Sequence, residues 1–330
     1  MILITGATGA LGPSVIWGLY KNGFSSLKVF ALDEPKPGIL PGDIKLSIGD
    51  ITNFDDLSRS MENVKAVVHM AALLHISNPT KEQISLYEKI NVEGTRNVVR
   101  AALKAGVKRI IFFSTISVYG PSNGNIFNED STTNPLTPYS KSKLKAEKVV
   151  LDAKLSNGQP IGTVLRLAAA YGSRIKGNYL SLLRAIAKGR FVPIGAGENR
   201  RTLVYDKDVA NAVVAILKAP LTVGKIYNVT DGHIYSMNEI INIMYEALEK
   251  KQPNLRIPIG PIRFCAKMVD NITKVILKKP IGFKDKVDKF IEDVAVDGSR
   301  IQKDSDFRPK YNLLEGWKEA IAEMKIRGDL

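Results

Sequence analysis

Cysteine is almost missing from this 330-residue chain: Cys265 stands alone, so no internal disulfide can form. A lone thiol fits a reducing, cytoplasmic setting and sets aside the small disulfide-stapled folds. Histidine is nearly as scarce. His69, His75 and His233 form no Cys/His/Asp group with metal-ligand spacing, so no metal site is expected, and His69, inside an apolar run, reads as a satisfied core histidine. No apolar run reaches the roughly 18 residues that a membrane-spanning helix needs. The opening MILITG runs straight into a structural motif with no charged, cleavable leader before it, so secretion is not expected. Repeats and low-complexity linkers are absent too.

Negative charge is also in short supply: 47 Lys and Arg face 33 Asp and Glu, for a net charge of +14. Such an excess points to nucleic acid, an acidic membrane surface or a polyanionic small ligand. Residues 250–290 hold eleven Lys or Arg and three Asp, a net +8. The lysines there are not interleaved with aromatics as a single-strand stacking platform requires, so nucleic acid is not expected. A solvated basic face is the plain reading, and a peripheral membrane contact through 259–289 is the alternative.

What is present is alternation. Apolar or β-branched runs at 1–5, 27–32, 44–48, 65–70, 108–114 and 161–167 read as strands, with amphipathic stretches such as 88–105 between them. Strands alternating with helices predict an α/β fold, a Rossmann-type doubly wound parallel sheet covered on both faces. After about residue 170 the alternation loosens. Segments 178–189 and 237–250 read as helices, 191–202 as loop, and 259–279 as a basic amphipathic helix. The expected division is a dinucleotide-binding domain over 1–170 plus about 203–230. A smaller mixed α/β substrate domain takes about 171–202 and 231–330.

MILITGATGALGPS places Gly6, Gly9 and Gly12 between a buried strand and a helix. Gly6 permits the tight turn, Gly9 lets the backbone approach a diphosphate, and Gly12 lets the helix pack closely on the strand. The helix N-terminal amides then face the anion. With Thr8, Ala10 and Leu11, these glycines form the expected cofactor loop. Asp33 lies 21 residues past Gly12, where a carboxylate can accept from ribose hydroxyls and repel a 2′-phosphate; with no Arg after it, NAD is favoured over NADP. Asp50 and Ile51, after the third strand, are expected at the adenine.

Of eleven tyrosines, only Tyr139 has a lysine four residues on, Lys143. Residues four apart share a helical face, and an ammonium there can favour the phenolate of an acid–base tyrosine. Ser114 and Thr115, at the end of the strand before it, offer a hydroxyl for a substrate oxygen; strand-end capping is the other reading of that pair.

GATGALG, HMAAL (69–73), INVEGT (90–95), FFSTISVYG (112–120), PYSKSK (138–143) and LRLAAAYG (165–172) follow in order. Together with ENRRTLVYDKDVANAVVAIL (198–217), they resemble the extended short-chain dehydrogenase/reductase family, in its nucleotide-sugar epimerase, dehydratase and reductase branch. The resemblance spans almost the whole chain. It implies Thr115, Tyr139 and Lys143 as the catalytic set, with Lys143 also binding the nicotinamide ribose. Ala71, Ala72 and Leu73 would line the cofactor, and Thr115, Ser117 and Arg201 would meet the substrate, Arg201 at its diphosphate. A homodimer is also implied, with the helix after Tyr139 as a candidate surface. His75, just past the cofactor-lining turn, is a candidate for the substrate border.

Departures narrow the reaction. Dehydratases of this branch carry Asp-Glu after the catalytic Thr, whereas Ile116 and Ser117 stand here. Ala168–Ala170 occupy a stretch where many epimerases have a phosphate-binding Asn. The expectation is an NAD-dependent C4 epimerase of a UDP-sugar. The alternatives are a 4-keto-reductase of a nucleotide deoxy-sugar, a sterol-type 3-hydroxy dehydrogenase and a non-catalytic Rossmann binding protein.

Overall fold

The computed structural model describes residues 1–76, 78–253, 255–276 and 282–330. In chain order the elements are β1 (Ile2–Thr5), α1 (Gly12–Lys21), β2 (Leu27–Ala31), β3 (Lys45–Ile48), α2 (Phe54–Ser60), β4 (Ala66–His69) and α3 (Lys81–Tyr87). A π-helical turn (Glu88–Glu93) leads into α4 (Gly94–Lys104), followed by β5 (Arg109–Thr115), α5 (Pro138–Leu151), β6 (Gly162–Leu167), β7 (Ala169–Tyr171) and α6 (Asn178–Ala187). The rest comprises β8 (Arg200–Arg201), β9 (Leu203–Tyr205), α7 (Asp206–Lys218), β10 (Ile226–Val229), β11 (Tyr235–Ser236), α8 (Met237–Ala247), α9 (Ile259–Ile276), α10 (Phe283–Ile291), α11 (Ser299–Asp304) and α12 (Leu313–Ile326).

The six expected strands form, each within two residues of the expected bounds. They join β10 in one seven-stranded sheet of order β10-β6-β5-β4-β1-β2-β3, parallel throughout. β1, β4 and β6 are buried at every residue, as helices on both faces require. Ile2 and Ile4 pack with Val15, Ile16 and Leu19 of α1 and Val209 and Val213 of α7. Leu3, pointing the other way, packs with Val98 and Ala102 of α4 and Ala146 and Val150 of α5. The strand order reverses between β1 and β4, and the crevice outside their carboxyl ends is where this architecture places a ligand.

A second core lies beyond β6. Tyr171, Leu183, Tyr205, Met244 and Trp317 pack together, with Tyr171 stacked on Trp317 at 4.7 Å between ring centroids. Two small sheets, β7 with β9 and β8 with β11, border it. β10, not foreseen as a strand, is four residues long and sits at the edge of the large sheet against β6. The 191–202 segment is loop except where Arg200 and Arg201 pair with β11 and Ile194 bridges to Ile257. Residues 277–281 of the basic 259–289 segment lie outside the described residues. Among the described residues, no helix is long and apolar enough to cross a membrane.

Candidate active site

The glycine loop caps β1 at the reversal point. Gly6 has φ +74°, and a Cβ there would lie 2.5 Å from the Ala71 amide nitrogen. Two loops from neighbouring strands thus touch backbone to backbone, which only glycine allows. At Gly12 a Cβ would lie 1.9 Å from the Ala7 carbonyl oxygen. The third glycine therefore lets α1 start against the loop's own backbone, rather than against the strand as the spacing implied. Gly9 and Thr8 are exposed at the loop's outer surface. Among the described residues, the Ala10 and Leu11 amides donate to no acceptor. Helix α1 has no side-chain cap and no acidic residue in its first turn. Such an N-terminus suits a bound anion.

Asp33 is exposed two residues past β2, the neighbour of β1. Asp50 is half-buried, and its Oδ1 accepts the Thr52 amide at 2.8 Å. Ile51 is buried and would touch any Cβ placed at Gly94. Both residues thus shape the turn after β3.

A chain of hydrogen bonds fixes the turn after β4. The Ala71 N–H donates to Thr5 Oγ1 at 3.2 Å, and Thr5 Oγ1 lies 2.7 Å from His69 Nδ1. His69 Nε2 lies 2.9 Å from Thr95 Oγ1, whose own proton goes to the Asn91 carbonyl at 2.6 Å. With the Thr95 proton committed, Nε2 must donate and Nδ1 must accept, which sets one neutral tautomer. Burial, with help from the Lys143 charge, pulls His69 down to about 3. The expectation of a satisfied core histidine holds. Asn91, inside the π-helical turn, accepts from the Leu73 N–H at 2.7 Å, donates to the Leu73 carbonyl at 3.0 Å and donates to Ser142 Oγ at 2.9 Å. Ser142 in turn donates to the Tyr139 carbonyl at 2.8 Å. One buried amide therefore clamps the 71–73 turn to the first turn of α5. INVEGT carried this residue, but its sequence context gave no sign of the task.

Helix α5 starts cleanly. Pro138 occupies its first turn, and Thr137 and Ser140 form a reciprocal capping box. Tyr139 is thereby held in the first turn, half-buried, its ring 6.2 Å from that of Tyr87 and 6.4 Å from that of His75. Lys143 follows one turn later, 2% exposed, its Nζ 4.0 Å from the centre of the Phe112 ring. Among the described residues it donates to no hydrogen-bond acceptor. Burial pulls its ammonium down to about 7 against the opposing pull of Glu147. Burial, with a contribution from Tyr87, pushes the Tyr139 phenol up to about 12. Burial thus sets the direction at Tyr139 in the chain alone, and no lowering by Lys143 works against it.

Glu147, one further turn along α5, is buried against Arg166 of β6 at 2.7 Å, with the two side chains 1% and 4% exposed. Ser114 donates to the same carboxylate at 2.5 Å. The pair ties α5 to the carboxyl ends of β5 and β6. There Thr115 is half-buried, its Oγ1 3.1 Å from Ser117 Oγ and accepting the Ser117 N–H at 3.2 Å. Ile116 between them is buried in the core.

Arg201 lies on β8, away from this cluster. Its Nη2 donates to the Lys289 and Phe290 carbonyls in the last turn of α10, and its buried Nε has no partner among the described residues. Lys289 also reaches back: its Nζ is 2.9 Å from His75 Nε2. His75, which the sequence left at the substrate border, thus joins Tyr139 to α10.

The sequence model of the NAD dependent epimerase/dehydratase family matches residues 2–230. The chain belongs to this family. The UDP-glucose 4-epimerase of Vibrio cholerae is 30% identical over 325 residues, covering 96% of this chain and 93% of that protein. The N-acetyl-alpha-D-glucosaminyl-diphospho-ditrans,octacis-undecaprenol 4-epimerase of Escherichia coli O157:H7 is 29% identical over 318 residues, covering 96% and 92%. The fold matches the UDP-glucose 4-epimerase of Thermotoga maritima, solved with UDP-glucose, at TM-score 0.77 and 22% identity over 99% of each chain. The protein is an enzyme of the extended short-chain dehydrogenase/reductase type, and NAD is the cofactor of its family. The residues present fit that group: a glycine cradle with no room for Cβ at Gly6 or Gly12, unpaired amides at Ala10 and Leu11, and a buried ammonium at Lys143 without an acceptor.

Proposed function

We propose that this enzyme inverts C4 of a nucleotide-activated sugar, a UDP-sugar, through a transient 4-keto form. The observation that carries this reading is the composition of the cluster at the strand ends. It brings together Tyr139, the buried Lys143 and the neutral hydroxyls of Thr115 and Ser117, with buried Ile116 and then Ser117 at the two positions where a dehydrating acid and base would stand. That set can move one proton at one oxygen and has no second acid–base pair for expelling water. Two relatives matched over more than nine-tenths of the chain are 4-epimerases, which supports the same reading. The coarser alternatives, a 4-keto-reductase and a sterol-type dehydrogenase, would use the same residues with net consumption or production of reduced cofactor.

In this reading the Thr115 hydroxyl, with Ser117 beside it, holds the sugar O4. Tyr139 takes the O4 proton and later returns it. Lys143 holds a ribose hydroxyl of the cofactor and brings positive charge to the Tyr139 turn. NAD, when bound, supplies the hydride acceptor and donor and, in its oxidised form, a further positive charge. Tyr139 needs that charge, because the chain by itself holds the phenol near 12. The Ala10 and Leu11 amides take the cofactor diphosphate, Asp33 its adenosine ribose, and Ala71–Leu73 line its path. Arg201 offers its unpartnered Nε to the substrate diphosphate. A cytoplasmic homodimer belongs to the same reading, with light scattering of the purified protein as its check.

The test is incubation of purified enzyme with UDP-glucose or UDP-N-acetylglucosamine and no added nicotinamide cofactor, with the C4 epimers separated by chromatography. The expected result is interconversion in both directions. Conversion only with stoichiometric NADH or NADPH would overturn the epimerase reading. Tyr139→Phe should lower kcat by about 10²–10⁴-fold, and unchanged activity would return the chain to a non-catalytic role.

A further inference from the structure

We propose that the outward face of α9 docks on an anionic lipid bilayer. Phe264, Met268 and Ile272 recur every four residues along α9, so they form one stripe, and they are 67%, 47% and 51% exposed. A surface helix ordinarily turns such a stripe inward. Here the inward side is occupied by other residues: Ala266 is fully buried, and Arg263 ties α9 to Asp288 of α10 at 2.8 Å. Leu255, just before the helix, adds another exposed apolar side chain at 65%.

Charge names the occupant. Lys267 is exposed along one border of the stripe, and residues 250–290 carry a net +8. A second copy of the chain on this face would set two such segments against each other. A bilayer with anionic headgroups meets both features at once, apolar insertion and positive charge. Among the described residues no helix, α9 included, is long and apolar enough to cross a membrane.

The surface is coupled to the site through α10. Lys289 contacts His75, His75 packs on Tyr139, and the carbonyls of Lys289 and Phe290 hold Arg201. The docking does not rest on the C4-epimerase reading.

The test is co-sedimentation of the full-length protein with vesicles, either phosphatidylcholine alone or phosphatidylcholine mixed with phosphatidylglycerol. The protein is expected to pellet with the mixed vesicles, to be released by high salt, and to stay soluble with phosphatidylcholine alone. Lys267→Ala should weaken binding about fivefold. A triple variant, Phe264→Ser, Met268→Ser and Ile272→Ser, should lose binding by more than about tenfold while keeping its melting temperature. It should also keep its turnover of soluble UDP-sugar. No pelleting of the wild type, or equal binding by the triple variant, would overturn the proposal. So would a dimer that the triple variant abolishes, which would give the stripe to a second copy. Vesicle binding by a protein that fails to epimerise UDP-sugars would sink the epimerase reading and leave the docking surface standing.

Discussion

Replacing Glu147 with Gln should destabilise the enzyme far more than the loss of one hydrogen bond. The Arg166 Nε and Nη2 groups both donate to Glu147, at 3.0 and 2.7 Å, and Ser114 adds a third bond at 2.5 Å. Gln keeps the volume but turns one acceptor oxygen into an NH₂ group. Whichever oxygen it replaces, that group faces an Arg166 N–H, donor against donor. It also leaves the Arg166 guanidinium, 4% exposed, without its counter-charge. Breaking one partner of a buried pair costs about 3–5 kcal/mol. At about 2 °C per kcal/mol for a chain of this size, the melting temperature should fall by about 6–10 °C. Converting both partners to apolar residues, Glu147→Leu with Arg166→Met, should recover most of that loss, because no buried charge remains. Calorimetry of the four-member mutant cycle measures both effects. A second readout is specific to the site. Glu147 is the group that holds the Lys143 ammonium up against burial, so Glu147→Gln should move the Lys143-dependent limb of the pH–activity profile to lower pH. A single-variant loss below about 1 kcal/mol, or an unmoved profile, would refute this account of the pair.

Gly6→Ala should abolish NAD retention, because the new Cβ meets the Ala71 amide at 2.5 Å in a backbone conformation that disfavours any side chain; titration with NAD followed by fluorescence measures it. Asn91→Ala should weaken NAD binding about tenfold, corresponding to roughly 1.4 kcal/mol, since it frees the Leu73 turn and Ser142 together; isothermal titration checks this, and unchanged affinity would remove Asn91 from the positioning role. His69 has its folded-state value depressed to about 3 from 6.5. The unfolded chain therefore binds the extra proton first, and stability falls as pH drops from about 6.5 toward 3, by up to about 1.4 kcal/mol per pH unit. Relative to His69→Gln, the wild type should show this additional acid sensitivity in urea titrations, and parallel curves would refute it.

Much of the fold is legible in the residues because its signals are local. A strand buried on both faces must be apolar at nearly every position, as in ILIT and AVVH, and that pattern needs no partner to be recognised. The same holds for Pro138 and Thr137 at the start of α5, where the cap acts within four residues. β10 escaped notice because four residues beside a turn carry little periodicity, and only pairing with β6 makes them a strand. The spacing of Tyr139 and Lys143 sets them one helical turn apart, but burial sets the direction in which each shifts. Spacing shows which groups share a face, but desolvation depends on what surrounds them.

By itself, then, the sequence determined the parallel α/β architecture, the glycine loop, and the one tyrosine–lysine pair on a capped helix. These follow from backbone sterics and short-range spacing. Only the tertiary structure decided that Asn91 joins a turn 18 residues before it to a helix residue 51 after it. It alone set the tautomer of His69 through hydroxyls at Thr5 and Thr95, and brought Lys289 to His75 across 214 residues. It alone also left the Phe264–Met268–Ile272 stripe facing outward. Each of these depends on which elements pack together, and hydrogen bonds and burial between distant segments leave no periodic trace in the order of residues.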